Sequence, residues 1–338
     1  MLNRVIGVDP SVILGTLQSN GKVFLINPSG VLFGQGSRID VAGLVASTLN
    51  LSNQDFLAGK LNFTAGSVTA GGLTNRGNIT TPSGGSVILV APQIENSGII
   101  NAPNGDVILA AGHSVRLGDT GAPDVLVEIQ APDTHAINVG EIIVGGGSAS
   151  IYAGLISQRG VVKADRLVLG ENGKITFRAT KSLNLESGSI TSASGGAQGG
   201  TVSLEAPVFY QIGDVHADGA SGGNVLIQAG NLLQSGAVTA DGTQGKGGNV
   251  TLNVTNAIQT QSALLSARGE TAGGKIVVNA GADQNGGLFS SGTFLTTGNQ
   301  GGEIKLLGHD IVLLGATADA SGKAGGGTIL IGGDYQGK

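Results

Sequence analysis

Three ionisable side chains stand two residues apart, at Asp214, His216 and Asp218. If this segment is a β-strand, they share one face, because successive side chains point to opposite faces. Two carboxylates beside an imidazole could transfer a proton or hold a metal ion. The solvent-facing side of a strand would carry the same polar residues. Asp241 and Asp319 occupy comparable positions in later segments, which favours a repeated structural pattern over a single catalytic site.

Other arrangements that support chemistry are missing from the sequence. There is no cysteine, and the four histidines have no spacing typical of a zinc site. The phosphate-binding pattern Gly-x-x-x-x-Gly-Lys-(Ser/Thr) is also absent. We therefore expect no metal, no cofactor and no enzymatic activity.

The composition excludes several classes of protein. Glycine accounts for 61 of 338 residues, and charged residues for 12%. Hydrophobic residues make up 40%, which is unlike a disordered chain, and eight prolines are far too few for collagen. The net charge of −5 argues against nucleic acid as a partner. No apolar stretch approaches the ~20 residues of a transmembrane helix, so we expect no membrane insertion.

A repeated pattern organises the C-terminal half. A glycine pair is followed by alternating apolar residues, and the first of these recurs at intervals of 23 to 28 residues: Val202, Val225, Val250, Ile276, Ile304 and Ile329. Earlier copies at Val87 and Val107 are 20 residues apart. Alternation with a period of two indicates strands with one buried face.

A second short strand precedes each of these strands, and the apolar residues that we assign to its buried face are Val215, Val238, Leu265 and Leu295. A third apolar patch begins many repeats, as at Val208–Ile212. Three short strands per repeat of about 20–28 residues predict an all-β protein built as a right-handed parallel β-helix.

The N-terminal region is less repetitive. Lys22–Ile26 and Val31–Phe33 are predicted strands, joined by a type I turn at Asn27-Pro28-Ser29-Gly30, and we interpret them as a short hairpin. A capping pattern at Ser52 predicts one short helical turn. Residues 119–180 are the least regular part, and we expect an irregular coil with a loop there.

The same N-terminal region resembles a known family. Its residues are similar to those of the secretion domain of two-partner secretion exoproteins, the filamentous-haemagglutinin-like adhesins. The resemblance rests on Asn3–Val5, Gly15–Gln18, Asn20–Gly21, Val23–Gly34 and Gly43–Ser47. The family's usual tetrad is Asn-Pro-Asn-Gly, and here Ser29 replaces the second asparagine.

The resemblance implies a function. Residues 1–118 would be the later part of the secretion domain, and residues 119–338 a β-helical repeat region continuous with it. It implies a secreted, surface-located adhesin, a pore-forming outer-membrane transporter as partner, and a host-cell or surface receptor. Asn27, Pro28, Ser29 and Gly30 would form the motif that the transporter recognises. It also implies a signal peptide before this point, so we expect the chain to be a segment of a longer protein. We expect it to be a monomer.

Two other functions fit a β-helix. One is a polysaccharide lyase or hydrolase, which would carry a carboxylate or basic cluster on adjacent coils along a groove. The other is a structural surface or spike protein outside this secretion route.

Overall fold

The computed structural model describes residues 2–66, 70–117, 133–166, 173–281 and 286–332. These residues form strands and a single short helix. The chain folds into two compact units. The first comprises Met1–Val161 and Phe177–Lys181, and the second comprises Val162–Thr176 and Ser182–Lys338.

The first seventeen strands lie in the first unit. They are β1 (Leu2–Arg4), β2 (Ser11–Ile13), β3 (Thr16–Ile26), β4 (Val31–Phe33), β5 (Arg38–Ser47), β6 (Asn50–Leu51), β7 (Leu61–Thr64), β8 (Leu73–Asn75), β9 (Asn78–Thr80), β10 (Ser86–Ala91), β11 (Gln93–Asn96), β12 (Ile99–Asn101), β13 (Asp106–Ala111), β14 (Ser114–Leu117), β15 (His135–Asn138), β16 (Glu141–Ile143) and β17 (Ser148–Gln158).

Parallel pairing builds this unit as a β-solenoid with three faces. One face stacks β1, β3, β5, β10, β13 and β17 in that order. A second stacks β2, β4, β8, β11, β15 and the later half of β17. The third runs through β5, β9, β12 and β16. Each coil thus contributes a β-segment to each face, as predicted for a parallel β-helix, and the long strands β3, β5 and β17 each span two faces.

The predicted hairpin at the N-terminus is wrong. Strands β3 and β4 do not pair with each other: β3 pairs with β1 and β5, and β4 pairs with β2 and β8, all in parallel. The turn after Ile26 therefore carries the chain from one face of the coil to the next. A type I turn between two apolar strands serves a solenoid corner as well as a hairpin, so the sequence pattern alone did not separate them.

A small antiparallel sheet lies outside the coils of this unit. It pairs β7 with β6 and with β14. The helix α1 (Asn53–Leu57) connects β6 to β7 and begins at Ser52, whose Oγ accepts a hydrogen bond from the Asp55 backbone N–H at 3.0 Å. The short helix predicted at Ser52 is thereby confirmed.

This outer sheet covers apolar side chains that point away from the solenoid interior. Leu61, Phe63, Val115 and Leu117 pack onto outward residues of β3, β5, β10 and β13, including Ile26. The ring of Phe24 meets Phe56 edge-on at 5.0 Å. Strand β3 is therefore apolar on both sides because one side faces the solenoid core and the other faces this cover.

The other strands are β18 (Val161–Lys163), β19 (Lys174–Leu185), β20 (Ile190–Ser192), β21 (Thr201–Gln211), β22 (Asp214–His216), β23 (Asn224–Gln234), β24 (Ala237–Thr239), β25 (Asn249–Gln259), β26 (Leu264–Ser266), β27 (Lys275–Ala280), β28 (Gly287–Ser290), β29 (Thr293–Leu295), β30 (Gly298–Gln300), β31 (Glu303–Gly308), β32 (Asp310–Leu313), β33 (Thr317–Asp319), β34 (Gly322–Gly325) and β35 (Thr328–Ile331).

The second unit is also a parallel β-solenoid. One face stacks β21, β23, β25, β27, β31 and β35, and another stacks β20, β22, β24, β26, β29 and β33. The six predicted core residues from Val202 to Ile329 fall into one column of directly paired positions. The first five are buried, and Ile329 is 44% exposed.

One predicted register is wrong by a single residue. Leu265 pairs with Phe294, not with Leu295, and Phe294 is the buried side chain. Two adjacent apolar residues, Phe294 and Leu295, leave the inward position ambiguous in the sequence. The larger aromatic side chain occupies the core. A one-residue shift would move every side chain of β29 to the other face and would expose this ring to water.

Polar amides form a ladder inside the first unit. Asn75, Asn96, Asn138 and Gln158 are fully buried, and each amide donates to the next through distances of 2.7–2.8 Å. Buried amides are tolerated when hydrogen-bonded. The ladder ties four successive coils together at one corner. Of the stretch 119–180, where we predicted an irregular coil with a loop, residues 119–132 and 167–172 lie outside the described residues.

Candidate functional site

The turn between β3 and β4 has the hydrogen bond that the predicted type I turn requires. The Gly30 backbone N–H donates to the Asn27 carbonyl at 3.1 Å, which closes the turn. The Asn27 side-chain oxygen accepts from the Ser29 N–H at 2.9 Å. Gly30 has φ +126°, a backbone conformation that disfavours any residue with a Cβ. These contacts are those expected of a tight turn at Asn27–Gly30, and recognition of the four residues by a transporter stays a prediction.

Asn27 is a structural residue as well as a turn residue. It is completely buried, and its side-chain amide donates to the Asp9 carbonyl at 3.0 Å and to Ser11 Oγ at 2.9 Å. Its backbone N–H donates to the Ser47 carbonyl at 2.9 Å. The sequence Asp9-Pro10-Ser11 therefore lies directly against the turn. Sequence analysis did not connect these three residues with the Asn27–Gly30 turn.

The following coil supports the other side of the turn. The Gly71 N–H donates to the Pro28 carbonyl at 2.7 Å, and the Val31 N–H donates to the Gly72 carbonyl at 3.1 Å. A Cβ at Gly71 would lie only 2.7 Å from the Ser29 carbonyl oxygen. Gly71 was missed in the sequence because its role depends on a coil some forty residues away. Pro28 and Ser29 remain partly exposed, so they are the part of the turn that a partner can touch.

The Asp214, His216 and Asp218 group serves the contact between adjacent coils. One Asp218 carboxylate oxygen accepts from Thr239 Oγ1 at 2.7 Å, and the other from the Asp241 N–H at 2.7 Å. His216 Nδ1 lies 2.9 Å from Thr239 Oγ1, and Asp214 accepts from the Ala237 N–H at 3.0 Å.

Asp241 repeats this role in the next coil. Its carboxylate accepts from the Arg268 N–H at 2.7 Å and from the Arg268 guanidinium at 2.7 Å, as well as from Ser266 Oγ. Asp319 accepts from the Ser321 N–H at 2.8 Å, and hydrogen bonds from the Ser321 side chain and backbone lower the pKa of Asp319. Asp218 and Asp241 therefore hold the backbone of the next coil, whereas Asp319 holds the backbone of its own bend.

Among the residues that the structure describes, no group of three or more potential ligands is placed to hold a metal ion. Within the same residues, no helix has the length and apolar character needed to cross a membrane.

Comparisons with known proteins place the chain in a family. A model described as the TPS secretion domain, where TPS denotes two-partner secretion, matches residues 1–169. The chain belongs to the two-partner secretion family. The crystal structure of the HMW1 secretion domain from Haemophilus influenzae superposes with a TM-score of 0.75 at 26% identity, over 97% of this chain and 85% of that one. A TPS secretion domain indicates an exported protein, found at the cell surface or in the medium.

Two curated relatives, both named heme/hemopexin-binding protein and both from Haemophilus influenzae, match shorter stretches. One is 33% identical over 162 residues, and the other 57% identical over 49 residues. These matches cover 45% and 14% of this chain, but only 17% and 5% of the relatives. The chain therefore spans a small part of the length of these relatives.

Proposed function

We propose that this two-partner secretion protein is recognised for export by a pore-forming outer-membrane transporter, and that the Asn27–Gly30 turn is part of the recognised surface. The observation that carries the proposal is the difference in burial and contacts among the residues of the turn. Asn27 is buried and holds the fold, whereas Pro28 and Ser29 are partly exposed at a corner that two neighbouring coils hold in place. A rigid corner with accessible residues suits recognition because little conformational entropy is lost on binding.

The chain contains its own control for this proposal. Thr81-Pro82-Ser83-Gly84 repeats the Pro-Ser-Gly sequence of Asn27-Pro28-Ser29-Gly30 at another corner of the first unit. The Gly84 φ is +80°, and Pro82 accepts a backbone hydrogen bond from Gly85 at 2.9 Å. Replacing either proline by alanine should lower stability by only about 0.4–1 kcal/mol, mainly through the unfolded state.

The test compares Pro28→Ala with Pro82→Ala in the full-length parent. Export is measured as the fraction of the protein in the medium, and melting temperature is measured on the purified chain. We expect Pro28→Ala to reduce export severalfold while Pro82→Ala leaves it normal, with similar melting temperatures. Equal export of the two variants would reduce the Asn27–Gly30 turn to a structural role.

The second part of the proposal is that the exported protein is a non-catalytic adhesin that attaches to a host-cell or surface receptor, with the repeat region from residue 119 as its shaft. Asp218 supports the absence of catalysis. Both its carboxylate oxygens accept hydrogen bonds from the next coil, so it is occupied in holding the solenoid together. The names of the relatives do not identify the receptor of this chain, because so little of the relatives' length is matched.

Attachment is tested with bacteria that display the parent protein on a cell monolayer. Bacteria that lack the parent should bind severalfold less, and equal binding would contradict the adhesin role. Catalysis is tested by incubating the purified chain with acidic polysaccharides. Cleavage that disappears in Asp218→Asn would contradict the non-catalytic role.

A further inference from the structure

An apolar stripe runs along the outer surface of the second unit. It consists of one outward side chain from each of five successive coils: Tyr210, Leu233, Ile258, Phe289 and Val312. Their positions pair directly, coil to coil, so the side chains form one continuous column. Four of them are 43–52% exposed, and Leu233 is half-buried. We call these five residues the outer stripe.

One outward column on the neighbouring face is polar in three of the same coils. Glu205, Gln228 and Asn253 form a directly paired column there. In the first unit, by contrast, outward apolar side chains lie beneath the antiparallel sheet of β6, β7 and β14. The outer stripe thus differs from this polar column and from the covered side chains of the first unit. A contiguous exposed apolar patch of this kind marks an interaction surface.

The columns that flank the outer stripe are uncharged in its central coils. On one side, Asn256 donates to Asn231 at 2.9 Å. On the other, Thr260 Oγ1 donates to Ser235 Oγ at 3.1 Å. These polar groups already have partners within the chain, so covering them costs less than covering unpaired groups.

We propose that the outer stripe is the contact between two copies of this chain, related by a two-fold axis with their coils antiparallel. A self-contact brings identical charges together, and the uncharged surroundings of the stripe avoid that repulsion in a chain of net charge −5. A second copy also has the same spacing of about 4.8 Å between rows of side chains. The rows of one copy can therefore fit between the rows of the other along the whole stripe.

The stripe is long and narrow. Five coils span about 24 Å at ~4.8 Å per coil, so an interface of the standard ~800 Å² per partner would also include the uncharged columns on either side of the stripe. Ile212 and Leu314, which are 45% and 65% exposed, extend the apolar surface at its two ends. The proposal departs from the monomer expected from the sequence, where the outward register of this strand was not assigned.

Ile258 is the middle residue of the stripe, so a two-fold contact places it opposite its own copy. The experiment measures the mass of the 338-residue chain in solution, from low micromolar to about 100 µM, by sedimentation equilibrium. The wild type should approach twice its 33.3 kDa. Ile258→Lys should raise the dissociation constant at least about 100-fold, because two lysines then face each other across an apolar contact.

Two controls make the result specific. Thr251→Lys, at an outward position of the same strand but outside the stripe, should dimerise like the wild type. Mixing Ile258→Lys with Ile258→Glu should restore a dimer through opposite charges, which a misfolded variant would not do. A monomeric wild type at every concentration overturns the proposal and leaves the stripe to a different partner. A dimer that survives in Ile258→Lys overturns it as well, because the contact then lies elsewhere.

Discussion

Val250 shows how strictly a single position is determined in this solenoid. Its side chain is fully buried and lies between Val225 and Ile276 of the adjacent coils, whereas Thr251 is partly exposed on the opposite side of the strand. Inward and outward environments thus alternate at every residue. The same alternation separates buried Phe294 from partly exposed Leu295.

We expect Val250→Asp to destabilise the chain by more than about 4 kcal/mol, because it buries an unpaired charge between two coils. Thr251→Asp should cost little, since its side chain reaches water. Chemical denaturation of the two variants measures the difference. Similar losses at both positions would show that the assigned register is wrong.

Glu303 allows the contribution of an ion pair on the outward face of a strand to be tested. Lys305 and Lys275 donate hydrogen bonds to its carboxylate and lower its pKa in the folded protein below the ordinary value of 4.5. At acidic pH the unfolded chain therefore takes up this proton before the folded chain does. The stabilisation is present above pH 4.5 and is lost as the pH falls through the lowered pKa.

Glu303→Gln should lower the melting temperature slightly near pH 7 and leave it almost unchanged near pH 3, which flattens the acid limb of the profile. The effect is small because the pair is partly exposed and screened by salt. The measurement is melting temperature from pH 3 to 7. A steeper acid limb in Glu303→Gln would mean that the assigned direction of the shift is wrong.

Among the elements, the outer sheet of β6, β7 and β14 is the clearest addition to a plain solenoid. Phe63 is fully buried in it and belongs to the apolar cluster that covers Ile26. Phe63→Ala should cost about 3–5 kcal/mol, the usual range for a large aromatic deletion. Faster proteolysis within residues 50–64 should accompany the loss. Leu57→Ala is the matched control, because Leu57 is 83% exposed and should change neither property.

Should the two variants be cleaved at the same rate, the sheet does not depend on Phe63 and its packing role is contradicted.

Sequence periodicity was sufficient to predict the repeated strands, because each coil repeats the same pattern of apolar residues. Val202, Val225 and Val250 stack as predicted, since two-residue alternation after a glycine pair allows only one buried face. The turn at Asn27 was also predictable, because asparagine, proline and glycine each favour one turn position.

Contacts between distant segments could not be predicted in the same way. The outer sheet joins β7 to β14, and Val115 and Leu117 alternate visibly in the sequence. That alternation indicates a strand without indicating its partner, and the antiparallel direction is set by packing over the solenoid. For the same reason a corner was interpreted as a hairpin, and Gly71 was not linked to the Asn27–Gly30 turn.

At the scale of the whole molecule, the chain has the β-solenoid fold of a family of exported proteins. The buried ladder of Asn75, Asn96, Asn138 and Gln158 and the columns of aliphatic residues stabilise successive coils against one another. Stacking of each coil on the previous one would favour folding outside the cell as the chain emerges from a transporter. We expect export and folding to be consecutive parts of one process.

The most direct test is secretion of the full-length parent in a host with and without its candidate outer-membrane transporter. The account predicts that the parent reaches the medium or the cell surface only when the transporter is present, and that it accumulates inside the outer membrane otherwise. Equal secretion in the two hosts would contradict the account.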